Sequence, residues 1–264
     1  MQIFHKESPL QKERRKLAEQ EKRFLCSHGQ KRDNILNQKL EGKVPSGLQN
    51  MLDTTFAKAF ALIFDKGTGV VEKTYQKEKL EQDYQVQEYA ADIKQDAKSL
   101  RTFSKKSKGA GTKNLLLSGV SGVGMGVLGI GILDIPVFTG MILKSVYETA
   151  LHYGCRYDTR EERYFILLLI QGALSYGEES QETEKKINTF ICDGRCPPDY
   201  EEKNQIERTA GVLSKELLYM KFLQGIPVVG IIGGMYDAVY MKEINKYADI
   251  KYRRRFFYKK HDVE

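Results

Sequence analysis

The sequence predicts an all-α fold, a helical bundle with two glycine-rich apolar helical hairpins. Three observations carry that reading. Helix-capping patterns precede runs with apolar residues three and four apart, strand-like alternation is nearly absent, and two apolar stretches, 115–143 and 222–241, each contain Ile-Pro-Val.

The elements follow in order. Ser8-Pro9 with Gln11 reads as N-cap, N1 proline and capping-box partner, opening a charged helix to about Cys26. Ser46 with Gln49 opens a second helix, in which Leu48, Met51, Leu52, Thr55, Phe56, Ala59, Phe60, Ile63 and Phe64 recur on one face until Gly67 and Gly69. That stripe is read as a packing face. Residues 70–104 continue helically with a high charge content, and the glycine and lysines of 104–112 break the pattern into a loop. Pro136 lacks an amide N–H and should kink or end a helix. Thr159 with Glu162 caps the next helix, whose run Tyr164 to Ile170 is apolar all round and therefore buried. Asp199 with Glu202 caps another, running to about Leu223. A last helix from about Tyr236 leads into the basic, aromatic segment 251–260.

A length of 264 residues makes one large domain or two small ones, enough to bury a core without disulfides or metals. With 41% hydrophobic and 29% charged residues, neither a disordered chain nor a polytopic membrane protein fits the whole. The formal net charge of +7 is segregated. Residues 1–50 carry eleven Lys or Arg against six Asp or Glu, and residues 244–264 carry seven against three, so the body between them is slightly acidic. Basic ends invite an anionic partner, either a membrane surface or nucleic acid.

The glycine-rich stretches admit two uses. Gly124, Gly126 and Gly129 match a dinucleotide-binding spacing, but Asp134 follows too soon and Pro136 cuts the helix that such a site requires. No Gly-Lys-Ser/Thr completes a P-loop. Close helix contact is the better use, with Gly122/Gly126 and Gly230/Gly234 as small-residue pairs one turn apart. Basic residues flank both stretches on both sides, which suits a re-entrant hairpin on a membrane better than a simple span. A hairpin inside a soluble core is the alternative, since Asp134 and Asp237 are costly in lipid.

Chemistry-bearing residues are sparse. The four cysteines are irregularly placed and fit a reducing compartment. Cys192 and Cys196, with His152 and Cys155, could form a zinc set, although the Cys-x3-Cys spacing is looser than usual. No nucleophile-elbow or metalloprotease motif is present, so an enzymatic alternative reduces to a hydrolase using Asp134, Asp237, Glu148 or His152. No catalytic, cofactor-binding or metal-binding residue is assigned. No zinc-finger, helix-turn-helix or RNA-binding signature accompanies the basic ends, so nucleic acid is not expected as a partner.

Several segments in order are similar to the EcsC protein family. They are Leu133-Asp134-Ile135-Pro136, Tyr153-Gly154, Tyr157 through Arg163, Ile226-Pro227-Val228-Val229-Gly230, and Arg253-Arg254-Arg255-Phe256. The resemblance covers roughly residues 45–258. It implies a bacterial helical protein, encoded in some members beside an ABC transporter, with no established activity or catalytic residues to carry over. Asp237 stands where the family often has Asn, and Cys155, Cys192 and Cys196 lie outside its pattern.

The resulting expectation is a charged helical extension over 1–44, a family domain over 45–258 and a tail over 259–264. The function expected is that of a non-enzymatic, membrane-associated protein, accessory to an ABC transporter or another membrane process. Without a signal-peptide pattern, the expected location is the cytoplasm, peripheral to or partly embedded in the inner face of the cell membrane. Arg253, Arg254, Arg255, Phe256, Phe257, Tyr258, Lys259 and Lys260 are the expected contacts with anionic lipid, and Gly122, Gly126, Gly230 and Gly234 the expected helix-packing positions.

Overall fold

The computed structural model describes residues 8–31, 43–45, 47–65, 135–224 and 230–259, with the side chains of 220, 221, 223, 224 and 230–237 excepted. All regular elements among the described residues are helices: α1 (Pro9–Ser27), α2 (Leu48–Asp65), α3 (Ile135–His152), α4 (Arg160–Leu174), α5 (Gly177–Asp193), α6 (Glu202–Gln224) and α7 (Gly230–Lys259).

α1 starts as its sequence dictates. The Ser8 hydroxyl accepts from the Gln11 amide while the Gln11 side chain accepts from the Ser8 amide, closing the capping box. α2 buries Leu48, Leu52, Phe56, Ala59, Phe60 and Phe64 and leaves Met51 exposed, so the stripe is a packing face. α3 carries Pro136 in the first turn described, where a missing N–H costs nothing. α4 is capped by Thr159, whose hydroxyl accepts from the Glu162 amide at 3.1 Å, and its residues 164–170 are all buried.

Three elements differ from the sequence reading. α5 was not anticipated, because only Ser180, Thr183, Ile187, Phe190 and Ile191 are buried in a helix dominated by charge. It closes at Gly194, whose φ of +67° is natural for glycine and lets its amide donate to the Phe190 carbonyl at 2.8 Å. α6 begins at Glu202 rather than next to Asp199, and α7 begins at Gly230, six residues before Tyr236.

α4 and α7 form the centre. α4 packs on α5, α6 and α7, while α7 also packs on α1, α3, α5 and α6; α2 lies against α3 and α6. At Gly172 of α4 an added Cβ would come within 2.9 Å of the Tyr247 ring and 3.3 Å of Ile187, so glycine sets the closeness of α4, α5 and α7. Gln49 donates to the Ser214 hydroxyl at 2.7 Å, and that hydroxyl donates to Asp53, tying α2 to α6.

The second predicted hairpin corresponds to α6 and α7, which pack together with the Tyr240 hydroxyl donating to the Glu216 carbonyl at 2.9 Å. Gly230 and Gly234 fall in the first turns of α7, where side-chain surroundings are outside the description. Gly122 and Gly126, the apolar stretch 115–134, the charged segment 70–104 and the 104–112 loop lie outside the described residues. Among the described residues no helix is long and apolar enough to cross a membrane.

α1, from the charged N-terminal part, packs on the last helix of the bundle. α1 lies antiparallel along α7: Arg14 donates to the Phe257 carbonyl at 2.9 Å, Arg253 donates to Gln20, and Phe24 stacks on Tyr247 at 4.7 Å. His28 completes the attachment, with one ring nitrogen 2.9 Å from the Phe24 carbonyl and the other 3.1 Å from the Ala173 carbonyl of α4.

Candidate functional site on the first and last helices

Burying a cation costs several kcal/mol unless a carboxylate and further hydrogen bonds meet it. The basic segment of α7 is largely buried, and its partners come from three other helices. Lys251, with no exposed surface, pairs with both Glu21 of α1 and Glu184 of α5. Arg254 contacts Glu21 at 2.8 Å and Asn188 at 2.7 Å, and the Tyr247 hydroxyl donates to Glu184 at 2.5 Å. Burial would raise the Glu21 carboxyl, but the charges and hydrogen bonds of Lys251 and Arg254 outweigh it and hold the group below its ordinary value. Burial, then the neighbouring Glu184, pushes the Tyr247 phenol well up, so it stays a neutral donor.

A second cluster is built from the next residue in each case, Tyr252 and Arg255, on the adjoining face of α7. Arg255 donates to Glu162 at 2.6 Å, and the Tyr252 hydroxyl donates to the other oxygen of the same carboxylate at 2.7 Å. The guanidinium also lies over the Phe165 and Phe190 rings at 5.2 and 5.1 Å. Cys155 belongs to the same neighbourhood: burial first, then Glu162, pushes its thiol up to about 11, the state of an inert structural cysteine. Glu162, read from sequence as a capping-box residue, thus spends its side chain on α7.

These contacts correct the membrane-contact expectation at four positions. Arg253, Arg255, Phe256 and Phe257 are buried within the domain, because the cations find carboxylate or amide partners there and the rings join the core. Arg254 is half-buried in the first cluster. Tyr258 and Lys259 are exposed, and Lys260 lies outside the described residues.

α1 carries a set of outward-facing cations of its own. Lys12, Arg15, Lys22 and Arg23 are exposed at helical spacing, with Glu19 as the one exposed acid among the residues of this helix, paired to Arg15 at 3.0 Å. The outer face therefore has a surplus of three positive charges, continued at the neighbouring end of α7 by Lys259 beside Tyr258.

The remaining sequence candidates do not assemble. Glu148 and His152 are buried one turn apart in α3; Asp134 lies outside the described residues, as does the Asp237 side chain. The Cys155 thiol contacts the Tyr153 carbonyl, the Cys196 thiol contacts the Arg160 carbonyl, and Cys192 is exposed. Among the described residues no group of three or more His, Cys, Asp or Glu is placed to hold a metal ion.

Sequence reasoning missed Glu21, Glu162 and Glu184 as cluster members. A signal existed: Glu21 stands four residues after buried Leu17 and three before buried Phe24, a register reserved for the inner face. Glu184 stands three before Ile187 and Glu162 three before Phe165 in the same way.

Helices in this order, tied by carboxylates to a basic final helix, define an all-helical bundle among the described residues. The chain matches the EcsC protein family over residues 10–257 and belongs to it. The match begins within α1, in keeping with the packing of that helix on α7. No curated protein and no solved structure matches the chain.

Proposed function

We propose that this protein is a non-enzymatic helical adaptor that docks on an anionic membrane surface, at the inner face of the cell membrane, as an accessory to a membrane process such as ABC transport. The observation that supports the reading is the cationic outer face of α1, continued by Tyr258 and Lys259. A basic residue close to an anionic bilayer gains about 1 kcal/mol, so a surplus of three supplies about 3 kcal/mol, roughly a hundredfold in affinity. An exposed tyrosine beside a lysine suits the headgroup layer.

The test is flotation of the full chain with vesicles of phosphatidylcholine alone and of phosphatidylcholine with phosphatidylglycerol. Binding only to the anionic vesicles, weakened by salt and lost in the Lys12→Gln, Arg15→Gln, Lys22→Gln, Arg23→Gln variant, is the expected result. A variant that floats as well as the parent refutes the reading. Salt-sensitive retention of DNA without vesicle binding replaces it with nucleic-acid binding.

A further inference from the structure

A cleft of about 280 Å³ opens between the middle of α1 and the last turns of α7. Arg14, Leu17, Ala18 and Glu21 line it from one side and Arg254, Phe257 and Tyr258 from the other. Its chemistry is divided. Arg14 and Arg254 supply two guanidinium groups, while Leu17, Ala18 and the two aromatic residues supply an apolar wall. Glu21 and Glu184 balance Lys251 and Arg254, so the unmatched positive charge of the cleft is that of Arg14. Arg14 uses one terminal nitrogen on the Phe257 carbonyl, and its buried Nε–H has no hydrogen-bond partner among the described residues. A guanidinium with an unmet N–H keeps hydrogen-bonding capacity that an anion can use.

The geometry points to a binding site for the phosphate headgroup of an anionic amphiphile, with Arg14 holding the phosphate, the paired Arg254 at its edge, and Leu17, Phe257 and Tyr258 receiving the start of an acyl chain. Guanidinium groups match phosphate oxygens in fork geometry, which a surface lysine does not. The volume is at the low end of small-molecule sites and admits a headgroup rather than a whole lipid. The site rests on the membrane-surface reading and sharpens it: the outer face of α1 would supply general attraction, and the cleft recognition of one headgroup.

The experiment is calorimetric titration of the full chain with short-chain dihexanoyl phosphatidic acid and, separately, with glycerol 3-phosphate, which has the phosphate ester but no acyl chain. The expected result is saturable one-to-one binding of the amphiphile, at least tenfold tighter than glycerol 3-phosphate. Arg14→Met should weaken it about tenfold. Tyr258→Ala, at an exposed position outside the ion-pair clusters, should weaken the amphiphile several-fold and leave glycerol 3-phosphate unchanged. Equal affinity for the two ligands overturns the proposal, since the apolar wall then has no role. So does binding by parent and both variants alike. If the parent floats on anionic vesicles but does not bind the amphiphile, the cleft assignment fails and the surface reading stands; amphiphile binding without flotation gives the reverse.

Discussion

Replacing Glu162 by Gln tests whether α7 is held by its buried carboxylates. Glu162 is 3% exposed and accepts from Arg255 at 2.6 Å and from Tyr252 at 2.7 Å. Glutamine keeps one acceptor oxygen and the shape but leaves the Arg255 charge without a counter-ion. Breaking a buried pair from one side costs about 3–5 kcal/mol, and a chain of this size loses about 2–4 °C of melting temperature per kcal/mol. A fall of about 6–20 °C follows. Urea unfolding followed by circular dichroism should show a lower midpoint at unchanged slope, meaning lost stability rather than a changed unfolded state. Adding Arg255→Met to Glu162→Gln should cost less than the sum of the two single changes by about 2 kcal/mol, because the second change removes the stranded charge. If the two effects add to within about 0.5 kcal/mol, the pair is not the unit that holds α7 to α4, and the reasoning fails.

Three further outcomes follow. Glu21 is held below its ordinary carboxyl value of 4.5, so its stabilisation is complete above that pH and is lost as pH falls through the lower folded value; the midpoint gap between parent and Glu21→Gln should therefore narrow on acidification below about pH 4.5, and a constant gap contradicts the assignment. Gly172→Ala should destabilise by about 1–3 kcal/mol in thermal melts, since its Cβ meets the Tyr247 ring at 2.9 Å. A thiol reagent at about pH 8 should modify exposed Cys26 and Cys192 quickly and Cys155 only on unfolding, read by mass spectrometry.

What the sequence revealed divides by range. Signals confined to a few residues were legible: the Ser8–Gln11 box, the buried face of α2 and the all-round apolar run of α4. Each is a local pattern whose partner lies within a turn or two, or is simply the core. α5 escaped because its buried positions are diluted by charge, although Glu178 and Glu179 in the first turn and Gly194 at the end are ordinary helix boundaries. The role of the basic segment was misread for a different reason. Lys251 meets Glu21 across 230 residues and Arg255 meets Glu162 across 93, and no local pattern encodes such pairings. A run of arginines beside aromatics reads the same whether it faces lipid or folds inward; only an acidic residue in a buried register of another helix distinguishes the two.

That distinction changes which residues bear on membrane binding. The cations at 251, 254 and 255 are met by Glu21, Glu184 and Glu162, so little of their charge reaches the surface, whereas the surplus on α1 is unmatched across its outer face. Substituting Arg255 would therefore weaken vesicle binding only by unfolding the bundle, and its loss of flotation should track its loss of helical signal across a denaturant series. Substituting Lys12, Arg15, Lys22 and Arg23 removes charge from solvated positions, where changes ordinarily alter stability by no more than about 0.5 kcal/mol each. Flotation should then disappear at full helicity. If the two sets of variants behave alike, with binding and folding lost together in both, the outer face of α1 is part of the fold's support and not a docking surface.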